Sequence, residues 1–181
     1  MKNLDNFTIF QKKVLFRADL NVPLVNGKIT DKSRILAIKS SIKKLKNQQN
    51  IIFIISHFGR PQGKIQSKYS LSFICSVLEK ELQIEKLHFL NKLDQKSISE
   101  KIKNMNFGDI CLVENIRFYP EEENINLDFA KKITSFFDVY VNDSFSASHR
   151  NHTSITGFSK YLPAVAGDDL LKEINNINLF L

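Results

Sequence analysis

The sequence predicts an α/β domain, a parallel β-sheet with helices on both faces. Three observations predict it. Short, almost wholly apolar runs recur at residues 14–18, 51–55, 110–113 and 139–141. Such runs read as strands buried on both sides, as parallel strands are. Segments of helical periodicity alternate with them, which implies right-handed crossovers and a shared strand direction. Each run is followed at once by cationic or hydrogen-bonding residues. Ligands of open α/β sheets bind in the crevice outside the carboxyl ends of the strands. Residues from four strand ends therefore converge on one spot, which suits a small, highly charged anion.

The elements follow in order. The first strand leads into Asp19 and Asn21, and Asn26-Gly27 reads as a turn. Asp31 or Ser33 caps a helix to about Lys46, with Ile35, Ile38, Ile42 and Leu45 on one face. Strand 51–55 leads into Ser56-His57-Phe58-Gly59-Arg60-Pro61, where Gly59 permits a turn and Pro61 stiffens the exit. Ser70 caps a helix to about Leu82, carrying Leu71, Ile74, Val77 and Leu78. A short strand at 87–90 and a weak helix at 97–103 precede strand 110–113. That strand leads into Glu114-Asn115-Ile116-Arg117-Phe118, in which Glu114 is placed to pair with an arginine and orient it. Leu127, Ala130, Ile133, Phe136 and Phe137 mark a helix before strand 139–141, which leads into Asn142-Asp143-Ser144-Phe145 and His149-Arg150-Asn151-His152. The tail carries Leu170, Leu171, Ile174 and Ile177 at helical spacing. It ends on Leu179-Phe180-Leu181, which reads as an element cut before the partner it packs against.

The bulk numbers limit the function. A chain of 181 residues makes one domain of ordinary size, and 43% hydrophobic with 25% charged residues fits a soluble globular protein. The net charge of +7 suits nucleic acid or a phosphorylated metabolite, so its distribution decides. Lysines such as Lys39, Lys43, Lys44 and Lys46 fall on a helix and read as a solvated surface. The few arginines fall mostly in the strand-end loops, and Arg suits bidentate oxyanion recognition. No nucleic-acid module is recognisable, so no nucleic-acid partner is expected. Cys75 and Cys111 lie in separate apolar elements and read as buried free thiols. The N-terminus lacks an apolar signal core, and no run approaches a membrane span, so a cytoplasmic protein with no membrane partner is expected.

Several chemistries lack their residues. His149 and His152 have no further ligand at zinc spacing, and Arg150 between them would repel a cation, so no metal site is expected. Ser144 lacks the glycine-flanked elbow of a hydrolase nucleophile. Neither a P-loop nor Gly-x-Gly-x-x-Gly is present among only six glycines. The pattern offers an anion site and no nucleotide site.

Five ordered motifs carry a resemblance. They are Arg17-Ala18-Asp19-Leu20-Asn21-Val22-Pro23, Thr30-Asp31-Lys32-Ser33-Arg34-Ile35, Ser56-His57-Phe58-Gly59-Arg60-Pro61, Glu114-Asn115-Ile116-Arg117-Phe118, and Val141-Asn142-Asp143-Ser144-Phe145 with His149-Arg150 and His152. In these the chain resembles the phosphoglycerate kinase family over essentially its whole length. The resemblance implies phosphoryl transfer between 1,3-bisphosphoglycerate and ADP, giving 3-phosphoglycerate and ATP in glycolysis. It implies two Rossmann-like domains joined by a helical hinge, of which this chain looks like the phosphoglycerate-binding one. Residues 1–166 would be that domain and 167–181 the start of the interdomain helix, with the C-terminal nucleotide-binding domain as missing partner. Asp19 and Asn21 would hold the glycerate hydroxyl and carboxylate region. Arg60, Arg117 and Arg150 would grip the non-transferred phosphate with His57 beside them. Arg34 would lie by the carboxyl end as the transition-state arginine, the catalytic residue of the set. Mg-ATP or Mg-ADP would belong to the complete enzyme, with no cofactor-binding residue in this chain. A monomer, inactive alone, is implied.

The departures are also specific. Ser144 replaces the usual Ala. Ser40 replaces a common Pro and favours a regular helix after Arg34. Asp168-Asp169 stand where apolar residues usually lead into the interdomain helix, so the hinge packing is expected to differ. The alternative reading is a non-catalytic anion-binding relic that kept the basic patch.

Overall fold

Strands that are almost wholly apolar cannot face water, and here they form the middle of the sheet. The computed structural model describes residues 1–179. The chain enters the sheet with β1 (Lys13–Ala18) and makes a small hairpin of β2 (Leu24–Val25) and β3 (Lys28–Ile29) around Asn26-Gly27. Then follow α1 (Ser33–Ala37), α2 (Lys39–Asn47), β4 (Ile51–Ile55), α3 (Cys75–Leu82), β5 (Leu87–Leu90), α4 (Gln95–Lys103) and β6 (Ile110–Val113). The remainder is α5 (Leu127–Thr134), β7 (Val139–Asp143), β8 (Ala164–Ala166) and α6 (Asp168–Asn178). The six-stranded sheet has the order β5-β6-β4-β1-β7-β8, and every pair in it is parallel. The expected α/β architecture is therefore the observed one.

Side chains alternate across each strand, so the sheet feeds two cores. Val14, Phe16, Ile52, Ile54, Ile110, Leu112, Val139 and Val141 point into one, which Ile35, Ile42, Leu45 and Leu78 of α1, α2 and α3 cover. Leu15, Phe53, Ile55, Cys111, Val113 and Tyr140 point into the other, under Ile98 of α4 and Ala130 and Ile133 of α5. Burying a side chain of this size stabilises by about 1.5–3 kcal/mol, so the sheet is rigid where its loops depart.

The differences from the sequence reading have physical reasons. The helix expected to run unbroken to Lys46 is two segments, interrupted at Ile38 (φ −81°, ψ −4°). Ser40 does not make it regular; its hydroxyl reaches Asp168 instead. Ser70 does not open an α-helix. Its Oγ accepts from Ser72 N at 3.2 Å in a 3-10 turn, and α3 starts at Cys75. Asp94 caps α4 by accepting from Ser97 N at 2.8 Å, so that helix starts two residues before the expected 97. Phe136 and Phe137 lie beyond α5, and Phe137 packs edge-on against Phe53 with ring centroids 5.2 Å apart. Strand β8 has no sequence signal because three residues show no periodicity. Its edge is closed by the N-terminal segment, where Ala166 N donates to Lys2 O. Cys111 is buried and Cys75 half-buried; burial pushes their thiols up to about 12 and about 11. Among the described residues no helix is long and apolar enough to cross a membrane. Ile177 and Leu179 of the apolar tail are exposed, while Phe180 and Leu181 lie outside the described residues.

Candidate anion-binding site

The parallel sheet puts the loops after β1, β4, β6 and β7 at one edge, and Asn115 ties two of them together. Its side-chain amide donates to Phe58 O at 2.7 Å and to Tyr69 O at 2.9 Å. Its carbonyl accepts from Phe58 N and Arg117 N. Asn21 reaches across from β1 and accepts from Gly59 N at 2.9 Å. Arg117 donates through Nη1 to Gly59 O at 2.9 Å. The Gly59 peptide is thus held on both sides. Its φ is +61°, and a Cβ there would lie 2.5 Å from the Tyr69 ring, so only glycine fits. Glu114 does not orient an arginine. It accepts from Leu71 N, Asn115 N and Ser70 Oγ and anchors the segment before α3.

The cations are concentrated and partly buried. Arg117 has only 4% of its side chain exposed, and its Nε, 3.5 Å from Glu123, makes no hydrogen bond. Burial depresses its pKa, opposed by Glu123 and reinforced by Arg150 and Arg17. Arg17 is fully buried. It donates to Ser154 Oγ at 3.0 Å and to Ala18 O, and its Nη2 lies 3.1 Å from His57 Nδ1. Behind it, Glu122 accepts from Ser154 Oγ at 2.6 Å and Ser154 N at 2.9 Å, with His152 Nδ1 at 3.7 Å. His57 is pushed down to about 2, first by burial, then by Arg17, Arg117, Arg150 and His152. His57 is therefore neutral at physiological pH. Arg150 is half-buried and Arg60 exposed.

The other end of the edge holds Asp19 and Arg34. Arg34 Nη1 pairs with Asp19 Oδ2, which also accepts from Ser146 Oγ, while Asp19 Oδ1 accepts from Asn21 N at 3.1 Å. Asp19, Arg34 and Ser146 line an open cleft of about 690 Å³ with Phe145, Asp143 and the start of α6. Asp143 Oδ1 accepts from Asp169 N and Leu170 N, so a strand-end carboxylate fills the N-terminus of α6. Hydrogen bonds and ion pairs therefore join Asp19, Asn21 and Arg34 into one group and place His57 with Arg17. Arg117 meets the Asn21 group through Gly59. No side-chain bond ties Arg60 or Arg150 to these networks among the described residues. Among the same residues, no three His, Cys, Asp or Glu side chains are grouped to hold a metal ion.

A sequence profile described as phosphoglycerate kinase matches residues 4–181. The chain belongs to the phosphoglycerate kinase family. The phosphoglycerate kinase of Prochlorococcus marinus (strain MIT 9515) is 43% identical over 176 residues, covering 96% of this chain and 44% of the relative. That of Borreliella burgdorferi (strain ZS7) is 42% identical over 174 residues, with the same coverage of 96% and 44%. Two solved phosphoglycerate kinases share the fold. The Coxiella burnetii enzyme superposes with a TM-score of 0.85 at 32% identity, and the Pyrococcus horikoshii OT3 enzyme with 0.86 at 30%. Each match covers 97% of this chain and 44% of the solved one. The chain thus spans under half the length of the phosphoglycerate kinases it matches.

Sequence reasoning missed Arg17, Glu122 and Ser154 as parts of the site. Arg17 carried a signal: a lone arginine inside an apolar strand must have a buried partner. Glu122 and Ser154 carried none, because only folding brings residues 32 apart into contact.

Proposed function

We propose that the chain is the phosphoglycerate-binding part of a phosphoglycerate kinase, which transfers a phosphoryl group between 1,3-bisphosphoglycerate and ADP. One observation carries the reading. Burial, and after it the charges of Arg17, Arg117 and Arg150 gathered at one strand edge, depress the His57 pKa to about 2. Such crowding of cations is unfavourable unless an anion joins them. Arg60, Arg117 and Arg150, with His57, take the non-transferred phosphate. Asp19 and Asn21 meet the glycerate hydroxyl and carboxylate region. Arg34, in its open cleft, lies by the carboxyl group, where charge develops during transfer. A carboxylate nucleophile needs no general base; positioning and charge neutralisation supply the catalysis. The setting is the cytoplasm and glycolysis, and the chain acts as a monomer in this part.

In the complete enzyme Mg-ADP or Mg-ATP accepts or supplies the phosphoryl group. The described residues do not fit it. Gly27, Gly59, Gly63 and Gly108 have positive φ and serve turns, with Gly59 and Gly63 closely packed against Tyr69 and Pro120. Gly167 directly precedes a helix, but the Asp143 carboxylate fills that helix start. An anionic phosphate would meet an anion there.

Calorimetry at low salt tests the reading. The chain binds 3-phosphoglycerate with a Kd of ~10 µM to ~1 mM and prefers it to glycerate, because charge-assisted bonds to phosphate contribute about 1.5–3 kcal/mol each before ordering costs. Equal affinity for the two ligands would overturn it.

A further inference from the structure

Arg17 stands inside β1, between Ile55 of β4 and Asn142 of β7, with no route to solvent. We infer that Arg17, backed by Ser154 and Glu122, is a positioning residue that locks His57 as a neutral imidazole with its proton on Nε2. The anion site then receives a fixed hydrogen-bond donor instead of a titrating cation. This deepens the phosphoglycerate reading and rests on it for its functional meaning.

The argument starts from donors and acceptors. A guanidinium has five N–H donors and no acceptor. Its Nη2 lies 3.1 Å from His57 Nδ1, so Nδ1 must accept. In a neutral ring the proton is then on Nε2. In an imidazolium, two donors would face each other at that distance. The surroundings agree. The ionisable groups acting on His57 are Arg17 of β1, Arg117 after β6, and Arg150 and His152 after β7, and no carboxylate is among them. Each of these disfavours a second proton on the ring.

Glu122 explains why a buried arginine can hold this position. It is wholly buried and reaches Arg17 through Ser154, whose Oγ accepts from Arg17 Nε and donates to Glu122 Oε1. The charge of Arg17 is therefore balanced by Glu122 through Ser154. The Arg17 guanidinium is oriented before any ligand arrives, and so is the ring. A neutral Nε2–H can donate to a phosphate monoanion and, more strongly, to the dianion. The pH dependence contributed by this contact then follows the ligand, whose second ionisation falls near pH ~6.

Long-range ¹H–¹⁵N spectra of the histidine-labelled chain test this without 3-phosphoglycerate. His57 is assigned from His57→Gln. The expected result is a protonated Nε2 and a bare Nδ1, unchanged from pH 5.5 to 7.5. An imidazolium pattern, or a proton on Nδ1, overturns the inference. Arg17→Met should release the lock and give mixed tautomers. Where it fails to fold because Glu122 is left charged and unpaired, Arg17→Met with Glu122→Gln removes both charges together. An unchanged His57 spectrum in either folded variant also overturns it. Inorganic phosphate should then shift the Nε2–H signal of the unsubstituted chain, and no shift would mean that the donor does not meet an anion. The tautomer is read ligand-free, so a chain with locked His57 that fails to distinguish 3-phosphoglycerate from glycerate sinks the functional reading alone.

Discussion

Ser40 donates its hydroxyl hydrogen to Asp168 across 128 residues of sequence, joining α2 to the first turn of α6. Lys44 Nζ lies 2.9 Å from Asp168 and 2.6 Å from Asp5, and Ser41 Oγ accepts from Asp168 N at 2.8 Å. A polar clamp thus ties the start of α6 to α2.

That clamp predicts coupling between the two residues. Ser40→Ala and Asp168→Ala should each destabilise by about 1 kcal/mol, a fall in Tm of roughly 2–4 °C for a chain of this size. The double variant should lose less than the sum, with a coupling of at least ~0.5 kcal/mol. Urea unfolding of the four proteins measures it, and strict additivity would mean that the hydroxyl and carboxylate act independently.

The arginines should separate by role. Arg60→Ala, Arg117→Ala and Arg150→Ala should each weaken 3-phosphoglycerate binding by roughly 10–100-fold. Arg34→Ala should affect binding less, because Arg34 already pairs with Asp19. With a nucleotide-binding domain supplied in trans, Arg34→Ala should lower kcat more than it raises KM. Calorimetry and steady-state kinetics make the comparison; a dominant binding loss at Arg34 with the other three silent would reverse the assignment.

Asp143 should make stability fall as pH rises. Burial raises its carboxyl to about 6, against the bonds to Asp169 N and Leu170 N that favour the charged form. Its Oδ2 is buried without a partner. Between the unfolded value near pH ~4 and about 6 the folded chain holds the proton more tightly than the unfolded chain. The advantage is complete below the unfolded value and gone above pH ~6, a difference on the order of 2–3 kcal/mol. Asp143→Asn cannot ionise, and its amide can still accept the two backbone bonds. Relative to it, the unsubstituted chain should lose stability between pH 4.5 and 7 in urea titrations. Parallel pH profiles of the two would show that Asp143 ionises normally.

A preparation of these 181 residues should show no kinase turnover. In-line transfer needs the Mg-bound phosphates clamped opposite the acceptor, and on the proposed reading these residues supply only the acceptor side. ATP should bind weakly, as a generic polyanion, and salt should abolish that binding. A coupled assay in the ATP-forming direction decides; turnover above ~1 s⁻¹ would require a nucleotide site elsewhere in these residues.

The sequence by itself determined the sheet, the direction of its strands and the edge at which the candidate anion-binding residues gather. Continuous apolar runs such as Ile51–Ile55 leave no choice of exposed face, and their alternation with helical segments imposes parallel pairing. His57, Arg117 and Asp19 could therefore be assigned to one edge from the chain alone. What only the tertiary structure decided were contacts between residues far apart in sequence. Glu114 turned to the Ser70 segment instead of an arginine, the helix after Arg34 broke at Ile38, and β8 joined the sheet on three residues. Arg17 found Glu122 through Ser154, and Ser40 found Asp168. The reason is physical. Periodicity reports how each segment divides its own faces between core and water. The partner of a buried charge or hydroxyl is set by where the packed layers bring distant segments together.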